Sequence, residues 1–374
     1  MHDGPLVHPP HVARPLRLRP FRGLTLDASR IGAPASVRAF TRPYDQVADR
    51  LESWARRGQL RHDQEAAVYL HEYTIGGVTV RGLVGALDIS RVAQDRVDAA
   101  VIPHEGIHPR QVEDLAARMS QMRVNPAPIL LVHRGPETVR RLLDGLQALA
   151  PDREFTDRGG QHHRVWAIRE PDSLALIERE LAGRQALIAD GHHRYAAYLQ
   201  LRSSEPGPAT EAGLAMLVDQ DASPLHLGPI HRVLGHTTLD ALAAAGALVG
   251  ADLRDSAPNR ALADLAADTL VATDGDRWAT LRLDLPPDRL AVEVLHERVV
   301  PALRPHPTRL AYHHTVDDTL ADIGRRPGTA VLMPAPAFSR VLATCAADRL
   351  LPEKATSFQP KPNVGVLIRS LRDG

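Results

Sequence analysis

A carboxylate, two imidazoles and a guanidinium stand almost in succession at Asp190-Gly191-His192-His193-Arg194. The apolar run Ala186-Leu187-Ile188-Ala189 before them predicts a buried strand, and Tyr195-Ala196-Ala197-Tyr198 after them predicts a helix. A strand-glycine-helix junction leaves unbonded backbone N–H groups at the helix start, where they and the helix dipole favour an anion. A plain helix cap by Asp190 accounts for one of these side chains only. Packing needs none of His192, His193 and Arg194 together, so the set reads as an anion site.

A second candidate is Pro103-His104-Glu105-Gly106-Ile107-His108-Pro109, which matches the zinc-protease pattern HExxH. That chemistry needs both histidines on one face of a continuous helix. Gly106 weakens a helix and Pro109 biases His108 away from helical angles. The stretch is therefore expected to be a loop leading into a helix over 110–122. It presents Glu105, with His104 beside it, as an acid or base.

The third candidate comes from composition. Only two of the 45 basic residues are lysine, Lys354 and Lys361, and both fall within residues 352–362. A compact ammonium is not equivalent to a guanidinium at a tight site. No Gly-Lys of a phosphate-binding P-loop, no G-x-S-x-G elbow and no G-x-G-x-x-G fingerprint occurs in the chain. The pairs His162-His163 and His313-His314 are read as core or surface positions rather than metal ligands.

These candidates need elements to position them. The 374 residues exceed one typical domain, and 44% hydrophobic content with 4% aromatic predicts a core of Leu, Val, Ala and Ile. A formal net charge of zero gives no overall field toward nucleic acid or an anionic membrane. The single Cys345 excludes an intramolecular disulfide and a cysteine-based zinc cluster. No charged-then-apolar leader opens the chain and no apolar run approaches membrane-spanning length, so a soluble cytoplasmic protein is expected.

The first twenty or so residues read as an irregular arm, followed by a helix over 46–57. A hairpin is expected over 67–89 around Gly76-Gly77. Further strands are expected at 129–132, 162–168, 186–189 and 214–219, with helices at 136–149 and 173–181. Beyond His236 the pattern predicts helices at 239–248 and 260–270 and strands at 278–283 and 330–333. These suggest a separate C-terminal α/β unit.

Asp190-Gly191-His192-His193-Arg194-Tyr195 resembles the phosphate-binding box of the ParB/sulfiredoxin superfamily, and more closely that of free L-serine kinases. Their Pro-His-Glu stretch running into a helix with Glu-Asp resembles Pro103-His104-Glu105 and Glu113-Asp114. Their C-terminal Pro-Lys-Thr-Thr segment resembles 352–357, although Ala355 stands where that family places a hydroxyl. Over nearly its full length the chain also resembles a bacterial family, domain of unknown function 1015, through Pro20-Phe21-Arg22-Gly23-Leu24 and Pro43-Tyr44-Asp45.

The resemblance implies an α/β (α+β) fold: a ParB/sulfiredoxin-like mixed-sheet core with a C-terminal α/β domain. The expected division is an arm and helix at 1–60, the phosphate-binding core at 61–236, and a C-terminal domain at 237–374 completing the active site. The implied activity is phosphoryl transfer between ATP, ADP or pyrophosphate and the hydroxyl of free L-serine, in either direction. Glu105 would be the base, and Asp190 and His193 would share the catalytic work, with Asp190 also binding Mg²⁺. Gly191, His192, Arg194 and His104 would hold phosphate or nucleotide. Lys354, Thr356 and Ser357 would bind substrate. The expected partners are L-serine or O-phosphoserine, with no nucleic acid and no membrane. The alternatives are a ParB-like nucleotide-hydrolysing switch and a non-catalytic phosphate-ligand-binding protein.

Overall fold

A computed structural model describes residues 6–32 and 38–373. They form two compact units. The first comprises residues up to Leu225 and from Pro360 onward, and the second runs from His226 to Gln359.

The first unit is built on a ten-stranded mixed sheet. Its strands are β1 (Val12–Ala13), β2 (Leu18–Arg19), β3 (Val68–Ile75), β4 (Val78–Asp88), β5 (Ala99–Ile102), β6 (Ile129–His133), β7 (Arg153–Thr156), β8 (His162–Ile168), β9 (Ala186–Asp190) and β10 (Ala212–Asp219). The spatial order is β1-β5-β9-β6-β10-β4-β3-β8-β7, with β2 on β4. Two neighbouring pairs are parallel, β5 with β9 and β6 with β10; the other pairs are antiparallel. β3 and β4 are the expected hairpin. Gly76 and Gly77 take φ of 57° and 78°, the left-handed angles that a tight two-residue turn demands.

Among the described residues, the helices of this unit include α1 (Val47–Arg56), α2 (Pro109–Met122), α3 (Glu137–Gln147), α4 (Pro171–Leu181) and α5 (His192–Ser204). α2 begins with proline at its first position, where a missing N–H costs nothing, and packs against α5. Val112, Ala116 and Met119 of α2 and Tyr195, Ala196 and Leu199 of α5 share one core with the apolar strands. Among the described residues, no helix is long and apolar enough to cross a membrane.

The second unit carries a six-stranded antiparallel sheet, ordered Asp252–Asp255, Trp278–Arg282, Thr269–Thr273, Gly328–Leu332, His231–Gly235, Leu310–His313. The helix expected over 260–270 instead ends at Ala263, and Thr269–Thr273 is a strand. Its neighbours Trp278–Arg282 and Gly328–Leu332 supply a ladder for both edges, which overrides helical propensity.

The two units divide at Leu225–His226 and at Gln359–Pro360, beside an expected division after residues 60 and 236. Val12–Ala13 and Leu18–Arg19 are strands of the main sheet, not an irregular arm. The C-terminus also returns to the first unit, where Ile368–Ser370 pairs with Gly23–Leu26 and Val124–Asn125. A buried polar network ties the early residues down. Gly23 N–H donates to Tyr69 Oη at 2.8 Å, Tyr69 Oη–H to Asp63 Oδ2 at 2.8 Å, and Arg153 pairs with Asp63 while donating to Thr25 Oγ1 at 2.7 Å. The Asp63 and Arg153 side chains are almost wholly buried, so Arg153 is the buried counter-charge of Asp63, with the exposed Arg61 3.4 Å from its other oxygen. Replacing Arg153 by Met leaves the buried Asp63 carboxylate only the exposed Arg61, 3.4 Å away, as a cation and should cost about 3–5 kcal/mol, read from urea unfolding. A loss under about 1 kcal/mol, the size of an exposed pair, would refute this account.

Candidate active site

β5 and β9 run parallel, with Ala186 opposite Val101 and Leu187 opposite Ile102, so their carboxyl ends lie side by side. The two strongest sequence candidates leave from those ends. Residues 103–108 follow β5 as a loop, as expected, and Asp190-Gly191 leads from β9 into α5. In open α/β sheets the crevice beyond the carboxyl ends of strands is where ligands bind.

Gly191 makes the corner. Its φ is 95°, and a Cβ there would lie 3.1 Å from the Arg194 guanidinium and from Ile129. The N-cap of α5 is Gly191, which brings no side chain to the first turn, and the helix dipole there favours an anion.

The two histidines lock the loop to the helix. His192 Nε2 accepts the His104 backbone N–H at 3.3 Å, and His193 Nε2 accepts the His108 backbone N–H at 3.0 Å. The rings meet their counterparts as well, His192 edge-on to His104 at 4.5 Å and His193 stacked on His108 at 5.8 Å. An Nε2 that accepts must leave the proton on Nδ1, so both tautomers are set by the loop. Only the Nδ1–H edge of either ring can donate to a phosphate oxygen.

Glu105 is mostly buried, and its Oε1 lies 3.8 Å from His104 Nε2. His104 is fully enclosed. Burial pulls its pKa from 6.5 to about 4, against a smaller opposing effect of its bond to the Ile188 backbone. The ring is therefore neutral at pH 7 and gives Glu105 no counter-charge.

Asp190 sits between two cations. Arg194 Nη2 donates to Oδ2 at 2.6 Å, and Lys361 Nζ donates to Oδ1 at 2.5 Å. Arg194 also donates through Nη1 to the Pro128 carbonyl at 2.6 Å. Two cations, one carboxylate and a helix N-terminus leave a net positive corner that remains partly open to solvent. A magnesium ion on Asp190 would have to compete with both cations for its oxygens, so this donor set fits a dedicated metal ligand poorly.

Lys361 carries the contact that sequence reasoning did not assign. Its signal was present, since it is one of the two lysines, but the family motif drew attention to Lys354. Lys354, Thr356 and Ser357 belong to the second unit. Lys354 is exposed at φ 56°, and its carbonyl accepts a bond from buried Arg232 at 2.9 Å. Ser357 is buried beside His314 Nδ1 at 3.1 Å, and Thr356 is half-buried. Ala355 is buried too, so the missing hydroxyl falls on an interior position.

The model of the family described as "Protein of unknown function (DUF1015)" matches residues 13–293. The chain belongs to this family. No curated protein matches the sequence of this DUF1015 member. Among solved structures, a free serine kinase variant in complex with ADP is similar at 14% identity and a TM-score of 0.42, covering 73% of this chain and 90% of the other. A conserved hypothetical protein from Pyrococcus furiosus is similar at 16% identity and a TM-score of 0.39, over 73% and 93%. C-terminally truncated SbnI from Staphylococcus aureus is similar at 11% identity and a TM-score of 0.43, over 73% and 85%.

Two outcomes follow from this geometry. Gly191→Ala should lower stability by roughly 1–2 kcal/mol, because it forces a Cβ into the left-handed region against Arg194. An unchanged melting temperature would show that the corner relaxes freely. His104 also makes the fold acid-sensitive. Its folded pKa of about 4 lies below the unfolded 6.5, so its contribution is complete above pH 6.5 and is lost as pH falls toward 4. The loss is roughly 3 kcal/mol. Urea unfolding between pH 7 and 4 should show a shallower decline in His104→Asn than in the wild type, and parallel curves would contradict it.

Proposed function

We propose that this protein transfers a phosphoryl group between a phosphoanhydride donor (ATP, ADP or pyrophosphate) and the hydroxyl of free L-serine. One observation carries the reading. The Glu105 loop and the helix start that suits a phosphate are held together by two hydrogen bonds, through His192 and His193. A base is thereby fixed beside an anion cradle, which is the arrangement phosphoryl transfer requires, since positioning and charge stabilisation do most of its work.

Arg194, Lys361 and the first-turn N–H groups of α5 receive the donor phosphates. Asp190 keeps the two cations converged without cancelling both. Glu105 takes the serine hydroxyl proton as the serine oxygen bonds to phosphorus and the anhydride P–O bond breaks, with the shorter phosphate leaving. His104, neutral at pH 7, borders the base without neutralising it. A nucleotide donor would bring its own Mg²⁺, which neutralises phosphate charge; no step here depends on it. The residue-level resemblance of the Pro-His-Glu and Asp-Gly-His-His-Arg blocks supports serine as the acceptor.

Phosphorus NMR of the protein with serine, Mg²⁺ and each of ATP, ADP and pyrophosphate tests the proposal and identifies the donor. O-phosphoserine should form. Donor hydrolysis without it would favour a nucleotide switch, and donor binding without turnover a ligand-binding protein. Glu105→Gln should lower turnover by about 10²–10⁴-fold while donor affinity is kept, because a general base contributes on that order. Phosphoserine output from that variant at the wild-type rate would overturn the assignment of Glu105.

A further inference from the structure

Lys361 reaches Asp190 from a strap, Pro360–Asn363, at the point where the chain re-enters the first unit. Prolines on both sides of Lys361 restrict the backbone, but they do not aim it. Side chains of the β3–β8 region do. Tyr73 Oη–H donates to the Pro360 carbonyl at 2.7 Å, and Gln161 Nε2–H donates to the Lys361 carbonyl at 2.7 Å. The Asn363 N–H donates back to Gln161 Oε1 at 3.0 Å, and Asn363 Nδ2–H donates to Asp157 Oδ2 at 2.7 Å.

Asp157 is itself the end of a buried chain. His163 Nε2 lies 2.9 Å from Asp157 Oδ2, and His71 Nε2 lies 3.0 Å from His163 Nδ1. All three residues are at least nine-tenths buried. The donor order follows from the groups alone. An ionised carboxylate only accepts, so His163 donates through Nε2; its Nδ1 must then accept, so His71 donates through Nε2. Burial opposes the charge on Asp157, yet the bonds from His163, Asn363 and the Gln161 N–H prevail and hold its carboxyl below the usual range. Burial also holds both imidazoles below their ordinary value, which keeps them neutral. A buried anion with this many directed donors is a rigid anchor.

We propose that Asn363, clasped by Asp157 and the His163–His71 chain behind it, is a positioning residue that holds the strap so that Lys361 meets Asp190 and completes the anion cradle. This inference rests on the phosphate-binding reading of that corner. Gly159 is part of the clasp, because a Cβ there would come within 2.9 Å of the Asn363 amide nitrogen.

The chain's two lysines make the test internal. In the full-length protein, each is acylated with acetic anhydride and its rate followed by mass spectrometry, Lys354 serving as the control. Asn363→Ala should release Lys361 from its ion pair and raise its rate by about three- to fivefold, the scale of an exposed pair, with Lys354 unchanged. Gly159→Ala should do the same by displacing the amide. In an Asp190→Asn background neither variant should add anything, since the contact they serve is already gone. ADP and pyrophosphate affinity, measured by calorimetry, should fall roughly tenfold in Asn363→Ala, the loss expected for one charge-assisted contact.

An unchanged Lys361 rate in both variants would overturn the proposal. So would a raised rate with donor affinity equal to that of a wild type that binds donor. If the Lys361 rate rises but the wild type binds neither ADP nor pyrophosphate, the phosphate reading of the corner fails while the clasp on Lys361 stands.

Discussion

The site depends on two hydrogen bonds from backbone to imidazole. His104 and His108 present their N–H groups from a loop that is bridged to Val7 at Ile107, and His192 and His193 accept them from the first turn of a helix. Each bond satisfies a backbone donor that would otherwise be stranded in a partly buried crevice. Each also fixes a tautomer. The same pair of contacts therefore shapes the Glu105 loop and occupies the Nε2 edge of either histidine.

Those bonds are possible because β5 and β9 are parallel neighbours. A parallel pair brings two chain segments, distant in sequence, out of the sheet at the same edge. One segment turns at Gly191, whose left-handed φ only glycine adopts without strain, and starts a helix whose N-cap brings no side chain. The other turns through Gly106 toward Pro109 and starts α2. The packing of α2 against α5 then holds both starts at a fixed separation.

Charge at the corner is arranged with the same economy. Asp190 keeps Arg194 and Lys361 converged, where two unbridged cations would repel one another. The arrangement retains one net positive charge beside a helix N-terminus. His104 is neutral through burial, so it gives the neighbouring Glu105 no counter-charge at pH 7. Asp190 thus meets both cations directly, while Glu105 is carried on a separate loop.

The strand-glycine-helix junction, the loop from 103 to 108 and the hairpin at Gly76-Gly77 were legible in the sequence, because each depends on local backbone chemistry. Glycine at a corner, proline at a helix start and an apolar run into a polar motif act within a few residues. The family motifs were legible for the same reason, being contiguous. The role of Lys361 was not, since it is set by Gln161, Asn363 and Asp157, which join it only through the folded sheet. Nor was the inclusion of Val12–Arg19 in the main sheet, or the strand at Thr269–Thr273, because pairing partners decide both. The sequence by itself determined which residues could do the chemistry and the corners on which they sit. Tertiary structure alone decided which of them meet, because parallel pairing and the returning C-terminal strap bring together groups that no local spacing connects.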